Sequence, residues 1–270
     1  MPYAIAITRL PRLASGGGYR TAGSEPPPSL DLFLTTLTAI LRVTAFDVRT
    51  RLAGDAPWVV ARTLDEPEAD RVVSTLRDAG FGAVHCDVTR ARAWAPAGDS
   101  TLTVEPAALM IQPAGVEIEY ASVRAVLLAT LDAERQTEDV ARMVVARNAR
   151  GQPVHADVSS FRYDRTQQRA LYLVAGGDRP LVRLAQESCR LSDARGATSR
   201  ERFDRLVAAV REEAHEARYD DRLVARPRRR SSYANLVTEG ERRGAVTSNV
   251  AETDLAVCLL AQALTERQIG

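Results

Sequence analysis

The sequence contains no lysine: every one of the 36 basic residues among its 270 residues is arginine. Mechanisms that need a lysine side chain are therefore excluded, including Schiff-base chemistry, the phosphate-binding lysine of a P-loop and a serine–lysine pair. Arginine-rich codon usage of a GC-rich genome accounts for this bias. The 36 arginines are balanced by 35 acidic residues, and the net charge of +1 argues against nucleic acid as a partner of the whole chain.

Cysteine and histidine are also scarce. The three cysteines, Cys86, Cys189 and Cys258, are far apart and odd in number. Their spacing predicts small buried side chains, and neither a disulfide framework nor a CxxC pair. The three histidines show no HxxxH or HExxH spacing. We therefore predict that the chain holds no metal and no cofactor.

Long apolar runs are missing. The longest, near Ala256–Leu264, is about half of the roughly 20 residues that a membrane-spanning helix needs. The start, MPYAIAITRLPRL, lacks the cleavage-like segment of a secretory signal. We expect a cytoplasmic protein. Aromatic residues make up only 5% of the chain, so alanine, valine and leucine must fill its core.

The sequence shows no catalytic constellation. The glycine run Gly16–Gly18 follows a predicted strand, but a P-loop needs a lysine and an immediate helix, so a flexible loop is the better interpretation. Neighbouring carboxylates such as Asp220 and Asp221 point apart on a helix. Ser159-Ser160 and Ser231-Ser232 lack the context of a nucleophile. We assign no catalytic residue and predict that the chain is not an enzyme.

The pattern of elements predicts an α+β protein. Residues 1–88 form a first domain, in which Tyr3–Leu10 is a strand, Leu30–Val43 and Asp47–Ala53 are helices, and a strand, a helix and a strand follow up to Val88. Helices should pack on one face of an antiparallel sheet. Residues 89–100 form a linker, rich in alanine, arginine and small residues.

Residues 101–221 form a second domain of short antiparallel strands with one long helix, Ser199–Arg218. The stretch Asp132–Arg150 is ambiguous: a short helix with a strand, or a loop. Residues 222–270 comprise a basic connector, extended or mobile, and a last helix, Glu252–Arg267. That helix has one apolar side, which is expected to dock on either domain or on another subunit.

The segment Phe46–Val88 carries a family resemblance. Its helix has a spaced Val48 and Leu52, its short strand begins at Trp58, and LRDAG leads into a closing strand. With the first strand and helix, these residues resemble the fold shared by the ribosomal L7/L12 C-terminal domain and the ClpS adaptor. The resemblance implies a small α/β sandwich that binds other proteins. The Asn-Asp pair that follows the first strand in ClpS-like adaptors is absent here.

The second domain resembles a bacterial pleckstrin-homology-like domain. The stretch LTVEPAALMIQPAGVEIEYASVRAVLLA, whose alternate residues point inward, carries this likeness, together with the long amphipathic helix that follows the strands. The resemblance implies a binding module for a peptide or a lipid headgroup.

A basic cluster stands out between the last two helices. It contains Arg226, Arg228, Arg229 and Arg230, followed by Ser231, Ser232 and Tyr233. A solvated connecting loop, a contact for phosphate groups or an acidic partner, and a phosphorylation site at Ser231 or Ser232 are three open interpretations.

From these observations we predict a non-enzymatic adaptor or scaffold with a protein partner, a second copy of the chain being an alternative. Its contacts are expected at the first helix pair and in the basic cluster, that is, at Phe33, Leu37, Arg49, Arg51, Arg226, Arg228, Arg229 and Arg230. A membrane-surface or phosphate-ligand binder is a second hypothesis, which the near-zero net charge disfavours. An enzyme of unrecognised type, with a site at the domain junction around Trp94, is a third.

Overall fold

The fold is that of a computed structural model. It describes residues 3–11, 31–53, 56–89, 100–147, 150, 152–175, 182–192, 196–225, 235–239 and 242–269. The described residues form six α-helices and three β-sheets. The predicted α+β class is confirmed.

The first module comprises the elements β1 (Tyr3–Arg9), α1 (Asp31–Leu41), α2 (Ala45–Arg51), β2 (Trp58–Thr63), α3 (Glu66–Asp78) and β3 (Gly82–Asp87). This order of elements was predicted and is confirmed. The strands form an antiparallel sheet in the order β2-β1-β3. All three helices pack on one face of it, around Ile5, Leu37, Val48 and Leu76.

Two helices begin with capping boxes that the sequence prediction missed. Thr44 and Asp47 bond reciprocally at the start of α2, with Asp47 N–H donating to Thr44 Oγ1 at 3.1 Å. Thr198 and Glu201 do the same at the start of α4 (Ser199–Glu213). The prediction began that helix at Ser199 and found no box, because the N-cap is one residue earlier. Hydrogen bonds from Thr44 and Thr198 lower the pKa of Asp47 and of Glu201.

The second module contains two sheets. The smaller comprises β4 (Ser100–Val104), β5 (Ala108–Gln112), β6 (Val116–Glu119) and β10 (Cys189–Leu191), in the order β10-β4-β5-β6. The larger comprises β7 (Val123–Arg147), β8 (Pro153–Ala175), β9 (Val182–Ala185), β11 (Arg218–Asp221), β12 (Asn235–Glu239) and β13 (Arg242–Ser248). A 3-10 turn, Tyr120–Ser122, leads from β6 to β7, and the short helix α5 (Arg222–Ala225) follows β11. A core that includes Leu109, Leu171, Phe203 and Val210 joins the sheets to α4.

Two parts of the second module differ from the prediction. The ambiguous stretch Asp132–Arg150 belongs, as far as Arg147, to one strand, β7, which pairs with β8 over nearly its whole length. The connector predicted at residues 222–249 contains α5 and the hairpin β12–β13, and β13 pairs with β7 from Gly244 to Ser248. Both stretches are rich in charged residues, so the hydrophobic alternation that marks a half-buried strand is weak there.

The last helix, α6 (Val250–Thr265), lies between the two modules. Leu255, Leu259 and Ala263 pack on the free face of the first sheet, against strands β1 and β3. Leu260 and Leu264, with their apolar neighbours, pack on β7 and β8 of the second module. The prediction gave α6 one apolar side and left its partner open. The helix is instead buried on two sides and docks on both modules.

A buried asparagine connects β7 to the start of α6. Asn249 is 0% exposed; its Nδ2 donates to the carbonyl of Thr130 at 3.1 Å and its Oδ1 accepts from the N–H of Asp132 at 2.8 Å. The Asn249 N–H donates to the carbonyl of Asp132 at 3.0 Å. The side chain therefore satisfies two backbone groups of β7 where the strand leaves the core.

We expect Asn249→Ala to lower the free energy of unfolding by about 1–3 kcal/mol for each buried group left without its partner. Asn249→Asp keeps the acceptor for Asp132 but loses the donor to Thr130, so its cost should come mainly from the Thr130 carbonyl and the added charge. Urea denaturation followed by circular dichroism measures both. A loss below about 0.5 kcal/mol for Asn249→Ala, the size of an ordinary surface substitution, would contradict this role.

Candidate functional site

The outer part of the β7–β8 hairpin extends beyond the other described strands of its sheet. We call residues 136–147 of β7 with residues 153–163 of β8 the arm. Within the described residues, β13 pairs with β7 only as far as Thr137. From Glu138 to Arg147, the arm consists of the two paired strands β7 and β8. At about 3.4 Å per residue, the two-stranded part from Glu138 to Arg147 is roughly 30 Å long.

An aromatic pair lies near the base of the arm. Phe161 and Tyr163 are two residues apart on β8, so their side chains lie on the same face of the ribbon. They are 54% and 60% exposed. Their register partners on β7 are the polar residues Glu138 and Gln136. Met143 is 53% exposed and belongs to the opposite face. Both faces of the arm therefore present large apolar side chains to solvent.

Charged side chains of both signs hold the base of the arm. Arg165 donates to the two carboxylate oxygens of Asp132 at 3.0 and 2.9 Å, and Arg162 donates to Asp164 at 3.1 Å. The hydrogen bonds that Arg165 donates to the Asp132 carboxylate raise the pKa of Arg165. The arm therefore leaves the sheet at a fixed, ion-paired position and carries a surface of mixed charge.

The structure separates the contact residues predicted in the first module. Phe33 and Leu37 are 8% and 0% exposed and belong to its core, so we leave them out of any contact surface. Arg51 lies on the exposed part of α2, and its Nη1 donates to the carbonyl of Val60, which braces α2 against β2. Arg49 is exposed.

Sequence reasoning missed Phe46, which is 74% exposed in α2. It lies three residues before Arg49, so the two side chains share one side of the helix. Val48 and Leu52, four residues apart, mark the buried side, and a residue two positions before Val48 points away from it. That spacing was the signal available in the sequence.

A small cleft of about 210 Å³ opens between α1, β2 and α3. Leu41, Arg42, Glu68, Arg71 and Val72 are among the residues that line it. Arg71 donates to both carboxylate oxygens of Glu68, at 2.9 and 2.7 Å, which lowers the pKa of Glu68 and raises that of Arg71. These two charges compensate each other, and the two further arginines of the lining, Arg42 and Arg62, give the cleft a net positive charge.

Several predicted site residues lie outside the described part of the chain. They are Trp94 of the predicted junction site, the basic cluster of Arg226, Arg228, Arg229 and Arg230, and the predicted phosphorylation sites Ser231 and Ser232. Their roles stay predictions. In the ranges that the structure does describe, none of the helices is both long and apolar enough to cross a membrane.

Comparisons with known proteins found no match to this chain. No protein-family model matches the chain, and neither does any curated protein or solved structure. The resemblances to the ribosomal stalk, ClpS and pleckstrin-homology-like folds therefore stay predictions. The function must be inferred from the exposed surfaces.

Proposed function

We propose that the chain is a non-enzymatic adaptor that binds a protein partner along the arm. The observation that carries this proposal is the arm, whose two-stranded part extends about 30 Å past β13 and along which Phe161, Tyr163 and Met143 are exposed. Phenylalanine, tyrosine and methionine are enriched in the centres of protein interfaces. Among the residues that the structure describes, three of the five large apolar side chains with high exposure belong to the arm.

The backbone of the arm supports the same proposal. A two-stranded hairpin without a hydrophobic face to pack is marginally stable in water. In the described residues no third strand lies beside β7 beyond Thr137, and an extended segment of another chain can pair with such an edge. A partner that adds a strand to this edge, or covers the aromatic face, would pack against the exposed apolar side chains.

The first module offers a second surface, formed by Phe46 and Arg49 on α2. Aromatic residues and arginine are the side chains most often found at the energetic centre of an interface. This surface and the arm belong to different modules, which α6 joins. An adaptor needs two such surfaces on one rigid body. The mixed charges at the arm base favour a protein partner over an anionic membrane, which would select a surface of one sign.

The junction of the two modules favours this function over an enzyme. In the described residues it is filled by α6, whose side chains there are mostly leucine, alanine and valine. An active site at that position would need polar side chains that converge on a cleft. The packing at this junction is that of a structural core.

The arm is tested with the double variant Phe161→Ser/Tyr163→Ser. The full chain serves as bait for affinity capture from a lysate of the source organism, with quantification by mass spectrometry. We expect a partner bound by the unchanged chain to be depleted at least tenfold with the double variant. Thermal unfolding should be nearly unchanged, because substitutions of exposed side chains cost little stability.

Leu64→Ser is the matched control, since Leu64 is 77% exposed but belongs to the first module. It should retain the partner. Sedimentation velocity is measured for the purified unchanged chain and for the purified double variant. It shows separately whether the partner is a second copy of the chain. Equal capture by all three proteins, or no partner with any of them, would contradict the proposal.

A further inference from the structure

Two cysteines that are far apart in sequence meet where α6 packs on the first module. Cys86 belongs to β3 and Cys258 to α6. Both take part in the apolar cluster that joins this sheet to the helix, together with Ala4, Val84 and Leu259. Cys86 is 8% exposed, whereas Cys258 is half-buried. Both thiols are free.

The side chains of Cys86 and Cys258 lie close enough to interact, and each is the largest influence on the pKa of the other. This interaction and burial raise the pKa of the Cys86 thiol. Cys258 is the more exposed of the two, so a small oxidant dissolved in water reaches its sulfur first. The thiolate is the form of that sulfur that reacts with oxidants.

We propose that Cys86 and Cys258 form an oxidisable dithiol that closes to a disulfide between the first module and α6, with a peroxide as oxidant. The Cys258 thiolate attacks one oxygen of hydrogen peroxide, the O–O bond breaks, and hydroxide leaves with the second oxygen. This step produces a sulfenic acid on Cys258 and takes up a proton to release water. The Cys86 sulfur, on losing its proton, attacks the Cys258 sulfur and expels the sulfenic oxygen as a second water.

The balance of this reaction is two thiols and one peroxide giving one disulfide and two waters. The sulfur atoms must approach to the bonded distance of about 2.05 Å. Because both side chains already belong to one packed cluster, this requires a local adjustment and not a rearrangement of the modules. The product would bond the sheet of the first module covalently to the helix that both modules share.

The third cysteine provides an internal control. Cys189 is 2% exposed in the core of the second module, and burial raises its pKa to about 12. It is neither accessible nor a ready thiolate. The proposal therefore predicts selectivity among the three cysteines of one chain.

The test uses the full chain, treated with a small molar excess of hydrogen peroxide, then denatured and alkylated with N-ethylmaleimide without reductant. Intact-mass measurement should show three adducts before oxidation and one adduct after it, carried by Cys189. Digestion should give a Cys86–Cys258 cross-linked peptide, and dithiothreitol should restore three adducts. In Cys86→Ser, the sulfenic acid should persist on Cys258 and be trapped by dimedone.

Three adducts after oxidation, a linkage through Cys189, or oxidation of Cys258 to the sulfinic acid without a cross-link would each overturn the proposal. The adduct count on the unchanged chain decides the question even if Cys86→Ser folds poorly. The inference does not depend on the adaptor function.

Discussion

Replacing either Leu259 or Leu260 by alanine should lower the free energy of unfolding by about 2–5 kcal/mol, the range for fully buried leucines. Both side chains are 0% exposed, yet these adjacent residues serve different modules. Leu259 packs on the sheet of the first module, and Leu260 packs on β7 and β8. Each substitution leaves a cavity and removes apolar contacts on one side of α6 only.

The two variants should therefore differ in where the chain loosens. Native-state hydrogen exchange should show faster exchange in β1 and β3 for Leu259→Ala, and in the inner halves of β7 and β8 for Leu260→Ala. Gln262→Ala is the control, because Gln262 is exposed on the same helix and should change stability by less than about 0.5 kcal/mol. If both leucine variants loosened the same strands, α6 would not be a shared element of two cores.

Removal of the Asp254 carboxylate should be equally damaging. Asp254 on α6 accepts a hydrogen bond from the Tyr172 hydroxyl at 2.9 Å and two from Arg183, at 3.1 and 2.8 Å. The side chains of Arg183 and Asp254 are only 20% and 11% exposed. Asp254→Ala leaves a buried guanidinium and a buried hydroxyl without their acceptor. We expect a loss of about 3–5 kcal/mol, measured by chemical denaturation at pH 7.

A compensated variant separates the loss of the pair from the loss of packing. The triple substitution Asp254→Leu/Arg183→Met/Tyr172→Phe removes every polar member of the contact and keeps its volume. It should recover most of the stability lost in Asp254→Ala, because a buried ion pair contributes little more than an apolar replacement. A triple variant as unstable as Asp254→Ala would show that the network has a role beyond satisfying its own charges.

The same carboxylate gives the stability a pH dependence. Burial raises the pKa of Asp254, although Arg183 and Tyr172 act in the opposite direction. The folded protein therefore holds this proton at pH values where the unfolded chain has released it. The resulting stabilisation is complete below the ordinary Asp pKa of about 3.9 and is lost as the pH rises through the higher folded value. Relative to Asp254→Asn, the unchanged protein should become less stable across that interval.

The first module was the part best predicted from sequence. Its strands and helices are short and each carries a local signal: the period of α1 in Phe33, Leu34 and Leu37, and Pro67 at the start of α3. Gly80, which ends α3 in a left-handed conformation with φ of 87°, is another such signal. Local signals of this kind do not depend on which other element covers them, so they were sufficient for the order of elements.

The role of α6 could not be obtained in the same way. A helix that is apolar on two sides is expected to be buried, and residues Leu255–Leu264 do show this composition. The sequence does not reveal that the two sides belong to different sheets, because those contacts join residues that are far apart in the chain. The arm posed the opposite difficulty: charged and polar residues interrupt its sequence, so no regular apolar alternation marks its two strands.

The candidate site was predicted only in part. Arg49 is at the surface as expected, whereas Phe33 and Leu37 were mistaken for contact residues because the apolar stripe of α1 serves the core. The exposed aromatics Phe46, Phe161 and Tyr163 are visible in the sequence as apolar residues in polar surroundings. They differ from core residues in the face of the strand or helix on which they lie. That face depends on the strand register and on how the helix packs, which are known only from the fold.

The position of α6 also sets an order of events in time. The ribosome makes the strands of both modules before it makes α6. Until α6 is made, the sheet faces on which it packs in the folded protein are not covered by it. Ala4 and Leu259 belong to one cluster although most of the chain length separates them, and contacts between residues so distant in sequence form late. During synthesis each sheet therefore has one apolar face exposed until α6 is made. A nascent chain arrested before Val250 would be bound by chaperones and would be prone to aggregate.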